Sequence, residues 1–311
     1  MTELTRKQWL VNVALIMLCF LRTALSSVFP VIKLFLRGVM EVELLWFVIT
    51  LCLAGAIAGI TSGLFGNGGG FVVVPALLVV FPFFTDSSGE LIKVAIGTSL
   101  ASIVVSSARS VQAHKKKGAV DFLVLKDWSI WLVVGVVVGL YIASQTSSES
   151  LILVFAIGVL LYSIYFLFPA LFAGTSNTLT MPKGVFKAGL ASFLGGFSAL
   201  LGIGGGTITV MTMVICNRSV HQAIATAAGV GFIIGIPGSI GFLLMGQNVQ
   251  DLPYGTVGFI NIPALIAISA GSVMTAPLGA KWAHSLDEVS LKKIFGLYLI
   301  AVSISMFYKA F

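Results

Sequence analysis

Two glycine-rich segments contain the residues best suited to bind a solute. The first reads Gly66-Asn67-Gly68-Gly69-Gly70, and the second, Gly202-Ile203-Gly204-Gly205-Gly206, follows 136 positions later. Consecutive glycines weaken a helix. Each cluster also precedes a short apolar segment, so a short helix should begin there with free amide groups at its N-terminus. Such groups form a nest for an anion, which is the chemistry that the clusters predict.

Polar residues near the clusters complete the candidate site. The Asn67 amide lies in an apolar stretch and must find a partner there. Hydroxyl side chains are the other candidates, although Ser and Thr in membrane helices often bond their own backbone and glycines often serve packing alone. The predicted substrate-binding residues are Gly66, Asn67, Gly68, Gly69, Gly70, Thr98, Ser99, Gly202, Gly204, Gly205, Gly206, Thr207 and Thr226.

The positions of the acidic residues give independent evidence about the charge of the solute. Every Asp and Glu falls at the end of an apolar segment or in a loop, as Glu90, Asp121 and Asp251 do. Carboxylates in the middle of a membrane are costly and appear there for a function, so their absence disfavours a cation substrate. The three cysteines are scattered singly and offer no metal-ligand spacing. We therefore expect no metal, no cofactor and no catalytic dyad.

Composition fixes the elements that position these residues. The 311 residues are 58% hydrophobic and 9% charged, with a mean hydropathy of +1.08. These values exclude a soluble enzyme and predict an all-α integral membrane protein in a lipid bilayer. The net charge is +7, and the basic residues gather in short loops. This is the positive-inside pattern of membrane proteins and does not indicate a nucleic-acid surface.

Apolar windows predict eleven helices in two similar sets. Those before the linker are expected at 9–31, 42–65, 71–82, 91–113, 127–144 and 150–172, and those after it at 184–201, 207–217, 220–245, 259–281 and 289–309. The second set repeats the first, since Gly97-Thr98 corresponds to Ala225-Thr226 and Gly135 corresponds to Gly271. The predicted divisions are an N-terminal transmembrane helix (1–41), a first repeat (42–172), a linker (173–183) and a second repeat (184–311).

Charge predicts that the two repeats have opposite orientations. Arg109 and the lysines at 115–117 place the loop after helix 91–113 in the cytoplasm, whereas the equivalent helix 220–245 starts beside Arg218. Opposite directions require an odd number of crossings per repeat. That number is three if the glycine-broken pair is a re-entrant hairpin and five if both of its arms cross. The short arm of about 12 residues spans roughly 18 Å, which favours the re-entrant form.

These motifs together resemble the TauE/SafE sulfite exporter family over residues 42–309. The resemblance rests on the doubled cluster with Phe71-Val72-Val73-Val74-Pro75, on Gly118-Ala119-Val120-Asp121, and on Ala276-Pro277-Leu278-Gly279. It implies a multi-pass transporter in the cell membrane (the inner or plasma membrane) that moves small sulfur-containing anions outward, such as sulfite or organosulfonates like sulfoacetate. Two departures are Met211, where Pro75 has its counterpart, and Asn67, at a position that is often apolar.

The expected function is secondary transport of such an anion by alternating access at a central site between the repeats. The alternatives are an anion channel and a membrane scaffold or sensor without transport. The number of subunits is left open, with a homo-oligomer among the alternatives.

Overall fold

The computed structural model describes residues 42–66, 68–83, 85, 89–168, 180–283 and 288–310. The predicted helix at 9–31, Asn67 and most of the predicted linker at 173–183 lie outside these ranges. Residues 51–311 form one compact unit, to which all the contacts below belong. Only residues 42–50 are described from the rest of the chain.

The described ranges contain ten α-helices, which fall into two sets of five. Before the linker lie α1 (Val42–Phe65), α2 (Gly70–Val80), α3 (Leu91–Lys115), α4 (Phe122–Gln145) and α5 (Ser148–Leu167), with a single 3-10 turn at Phe81–Phe83. After it lie α6 (Gly184–Leu201), α7 (Gly206–Ile215), α8 (Val220–Met245), α9 (Ile262–Trp282) and α10 (Glu288–Ala310). Eight of the described helices are long and apolar enough to cross a membrane, which confirms the all-α membrane fold. The short ones are α2 and α7.

Side-chain caps fix several helix starts. The side chains of Asp121, Ser147, Ser219 and Asn261 each accept a hydrogen bond from the amide three residues ahead, at the first turns of α4, α5, α8 and α9. These residues have the short polar side chains that satisfy the free amides of a first turn. Polar residues between apolar runs therefore mark where one span ends and the next begins.

The start of α9 differs from the prediction. Thr256–Val257 and Ile260–Asn261 pair as a two-residue antiparallel ribbon, so α9 begins at Ile262 and the predicted start at 259 was wrong. Gly255 and Gly258 flank the first strand with φ of +75° and +57°, a backbone region that glycine adopts without strain. Apolar length alone does not distinguish these few extended residues from a helix.

The core is built around α3 and α8, which pack against each other in antiparallel directions. A methyl group on Gly97 would lie 2.9 Å from Cβ of Phe242, and one on Gly231 would lie 2.7 Å from Oγ of Ser107. Successive contacts thus involve higher residue numbers on α3 and lower residue numbers on α8, so the two helices run in opposite directions. The helix α3 is the most buried of the candidate spans.

Close helix crossings involving small residues surround this pair. The helices α4 and α6 approach so tightly that a methyl group on Gly139 would lie 2.8 Å from Cα of Gly196. On the other side α1 meets α9, where a methyl on Gly59 would lie 2.7 Å from Cα of Ser272. Small residues let membrane helices come this close. The helices α5 and α10 also pack together, with Ser163 donating to the carbonyl of Gly296 over 2.9 Å.

Candidate functional site

The first glycine cluster makes the turn between α1 and α2. Gly66, Gly68 and Gly69 have φ of +66°, +71° and +81°, and Gly69 is the N-cap of α2 in the left-handed region. Side chains other than glycine are strained in that region. The chain therefore turns sharply here, and α2 begins at the buried Gly70.

The second cluster makes the corresponding turn between α6 and α7. Gly202 caps the C-terminus of α6 with φ of +64°, and Gly205 is the N-cap of α7 with φ of +66°. Glycine in this left-handed form is a common end of a helix. Both clusters are buried within the described residues, and Ile203 between the glycines of the second is 1% exposed.

The two clusters are in direct contact. A methyl group on Gly70 would overlap the carbonyl oxygen of Gly202 and lie 2.9 Å from Cα of Ile203. Packing this close is available only where a side chain is missing. Gly70 and Gly202 are thus brought together, although they lie 132 positions apart in the sequence.

The clusters also lie against the middle of long helices. A methyl group on Gly68 would lie 2.7 Å from Cγ2 of Ile103, which is the midpoint of α3. Gly204 lies beside Gly231, near the midpoint of α8, where a methyl would be 3.2 Å from the Gly204 carbonyl oxygen. The contact region of the clusters therefore lies about halfway along the two central helices.

The amide groups at the start of α7 have no carbonyl partner. Among the described residues, no backbone carbonyl accepts a hydrogen bond from the amides of Gly204, Gly205 or Gly206, and no side chain caps the helix. A helix N-terminus also has partial positive charge from its dipole. The arrangement therefore presents hydrogen-bond donors and positive potential in a buried place.

Ser99 is bound to the second cluster. Its hydroxyl donates to the carbonyl of Gly202 over 2.7 Å, and two turns further along α3 Ser106 donates to the carbonyl of Gly68 over 2.9 Å. Two serines of α3 thus hold one carbonyl from each cluster. Ser106 was missed by the sequence analysis, since only its position in space connects it to Gly68.

Thr98 and Thr226 each accept a hydrogen bond from a backbone amide at the start of a helix in the opposite half. The Thr98 hydroxyl accepts from the amide of Asn261, and the Thr226 hydroxyl accepts from the amide of Asp121, each over 2.9 Å. Asn261 and Asp121 are the N-caps of α9 and α4. The two predicted site residues therefore have equivalent structural bonds at opposite ends of the central helix pair.

Thr207 lines a small cavity beside the second cluster. Its residue is 4% exposed, and its hydroxyl has no hydrogen-bond partner within the described part of the chain. The cavity measures about 20 Å³, which is room for about one water molecule. The other lining residues are Phe65, Tyr165, Phe166, Val210, Val220 and Ile224.

Three serines that the sequence analysis did not single out are also buried near the clusters. Ser62, Ser107 and Ser198 are each 0% exposed, and their hydroxyls make no hydrogen bond to any described residue. Ser62 and Ser198 stand four residues before the first glycine of their clusters, a signal that alignment of the repeats would give. Ser107 has no such signal.

The ion pairs of the described residues lie at the ends of helices. Glu90 pairs with Lys93 over 3.0 Å at the start of α3, and Asp121 lies 3.6 Å from Arg218 at the other end. Lys187 pairs with Asp127 over 2.6 Å near the starts of α6 and α4. The contact region of the clusters is therefore polar through neutral groups.

Membrane-spanning helices around a buried polar centre define a multi-pass integral membrane protein, and its family places it among transporters that act on a small substrate in a lipid bilayer. A family model described as "Sulfite exporter TauE/SafE" matches residues 51–306. The chain belongs to this family, which confirms the resemblance seen in the motifs.

Several relatives have names of the same kind. The chain is 33% identical to a "Probable membrane transporter protein" of Haemophilus influenzae, an alignment covering 85% of this chain and 99% of the relative. It is 27% identical to the "Probable membrane transporter protein YunE" of Bacillus subtilis, covering 84% and 97%. A "Probable membrane transporter protein" of Methanocaldococcus jannaschii is 27% identical, covering 81% and 92%. No solved structure matches the chain.

Proposed function

We propose that this membrane transporter is a secondary transporter of small anions that exports sulfite or an organosulfonate such as sulfoacetate. Its site is the place where the two glycine clusters meet, and it works without a covalent reaction. The family description, which names a sulfite exporter, supports the substrate class and the outward direction. The residue chemistry supports the negative charge of the substrate.

The observation that carries the proposal is the contact of Gly70 with Gly202 and Ile203 next to amides without carbonyl partners. In hydrocarbon an unpaired backbone group is tolerated only where protein, water or ligand serves it. Matching breaks in two helices near the middle of a membrane protein are typical of a transporter site. An anion is the ligand that such amides and a helix N-terminus stabilise.

Paired contacts between the halves support alternating access by two inverted repeats. If each helix is replaced by its counterpart in the other half, α1 becomes α6 and α9 becomes α4. The crossing of α1 with α9 then corresponds to the crossing of α6 with α4. The pairs α3–α8 and α5–α10 then correspond to themselves. The narrow cavity beside Thr207 supports a site that must widen before a substrate passes. The short helices α2 and α7, of 11 and 10 residues, favour re-entrant arms.

The Gly70→Ala variant tests the site. A methyl there would press on the Gly202 carbonyl, so we expect uptake of ³⁵S-sulfite by proteoliposomes to fall at least about tenfold, while the protein elutes as a single folded species. The matched control is Gly189→Ala on α6, because a methyl on Gly189 has open space around it. Full uptake by Gly70→Ala would contradict the proposal.

Two other functions predict different results in the same vesicles. A channel gives a conductance that does not saturate with sulfite, whereas a transporter saturates and exchanges labelled for unlabelled anion. A scaffold gives neither uptake nor a shift of the melting temperature on adding sulfite, sulfoacetate or acetate. Binding to the folded state raises that temperature.

A further inference from the structure

Two buried serines beside the second cluster extend the candidate site. Ser107 of α3 and Ser198 of α6 are completely buried, and each hydroxyl is without a hydrogen bond among the described residues. A buried hydroxyl without a partner is costly and therefore uncommon. In a transporter such a group is explained if a substrate provides the partner.

Both hydroxyls lie against the same short stretch of backbone. The Ser107 oxygen is 2.7 Å from the place that a methyl on Gly231 would take, and Gly231 lies next to Gly204. The Ser198 oxygen is 3.0 Å from the corresponding place on Gly205, where Cδ2 of Leu194 and Cδ1 of Ile234 lie slightly nearer. The hydroxyls thus approach from α3 and α6, close to the Gly204, Gly205 and Gly206 amides that have no carbonyl partner.

The first cluster is built differently at the equivalent positions. The side chain of Ile103 fills the space against Gly68, where a methyl would lie 2.7 Å from its Cγ2. Ser106 already donates to the carbonyl of Gly68. Ser62 is the sequence counterpart of Ser198 and is likewise buried without a hydrogen bond among the described residues, but its hydroxyl is not among the atoms nearest to the described glycines of the first cluster. The two halves are therefore chemically unequal where the clusters meet.

We propose that Ser107 and Ser198 bind the oxygen atoms of the substrate, so that the charged head group lies at the second cluster and not equally between both. This inference rests on the proposed function. Two rotatable hydroxyl donors and a row of amides match an oxoanion with several acceptor oxygens better than a single-point anion such as chloride. The first cluster then supplies close packing, and the second supplies the ligands.

The test is the KM for ³⁵S-sulfite of Ser107→Ala and Ser198→Ala in proteoliposomes. Each variant should raise the KM about tenfold or more, since each removes a hydrogen bond to a charged group. Because neither hydroxyl has a hydrogen-bond partner among the described residues, the melting temperature without sulfite should stay equal or rise. The matched control, Ser163→Ala, removes a bonded hydroxyl between α5 and α10, so it should lower the melting temperature and leave the KM unchanged.

Other outcomes separate this inference from the function on which it rests. If the wild-type protein transports sulfite and both variants keep its KM within about twofold, the two serines are not ligands and the inference fails alone. A Ser62→Ala variant with as large a KM increase as Ser198→Ala would overturn the one-sided placement. If the wild-type protein transports neither sulfite nor sulfoacetate and neither shifts its melting temperature, both proposals fail.

Discussion

At the scale of single residues, Thr98 and Thr226 show how one side chain can serve the fold at a predicted site. Each hydroxyl accepts a hydrogen bond from the amide of a helix N-cap in the other half. Burial of that amide without an acceptor would be costly. Binding of substrate by these threonines stays a prediction, while their role in joining the halves is visible.

Thr226→Val should therefore destabilise the protein by about 1–3 kcal/mol, because the amide of Asp121 loses its acceptor. Thr226→Ser keeps the oxygen and is the control, with a much smaller effect. Thermal unfolding in detergent measures both. Equal melting temperatures for the valine and serine variants would show that the hydrogen bond contributes nothing.

Thr207→Val should have the opposite effect on stability. The Thr207 hydroxyl has no partner within the described residues, so its removal should leave the melting temperature equal or slightly higher. If this hydroxyl contacts the substrate, the KM for sulfite rises as well. A lower melting temperature would show that the hydroxyl is bonded in the folded protein.

At the scale of elements, most helix bounds could be predicted because apolar length reflects the thickness of the bilayer. The predicted ranges 42–65, 184–201 and 220–245 coincide with α1, α6 and α8. The ribbon before α9 was missed because Phe259, Ile260 and Ile262 read together as the apolar start of a helix. The glycine breaks were predictable from composition, but the contact of Gly70 with Gly202 depends on packing between the halves.

The small-residue crossings should be sensitive to volume. Gly139→Leu would force α4 away from Gly196, and Gly59→Leu would do the same to α1 and Ser272. We expect each to destabilise the protein by about 1–3 kcal/mol or more, as overpacking does. Gly189→Leu on α6 is the control, because nothing lies within 4 Å of a methyl there. Melting temperatures of the three variants test this prediction: Gly139→Leu and Gly59→Leu should melt at lower temperatures than Gly189→Leu.

At the scale of the whole compact unit, loops from the two halves share each end. Asp121 before α4 lies 3.6 Å from Arg218 before α8, so these loops are on one side, which charge predicts to be cytoplasmic. Thr98 near the start of α3 bonds Asn261 at the other side. The hydroxyl partners could not be predicted, because residues more than a hundred positions apart meet only through the packing of α3 and α8.

Cys216 offers a test of this orientation. With Cys19 and Cys52 replaced by serine, a membrane-impermeant maleimide should label Cys216 only from the cytoplasmic face, and a cysteine at Asn248 only from outside. Burial raises the pKa of the Cys216 thiol above its usual value, and Arg218 partly opposes this. Since the thiolate is the reactive form, labelling should be slow at neutral pH and accelerate as pH rises. Labelling of Cys216 from the outer face would show that the predicted orientation is wrong.

The neutral character of the cluster contact has an electrical consequence. The ion pairs of the described residues lie at helix ends, so an anion held by amides and hydroxyls would retain its charge as it crosses. Moving one elementary charge through the membrane potential is worth about 2.3 kcal/mol per 100 mV. In a cell that is negative inside, voltage alone would then drive the anion outward, without a companion ion.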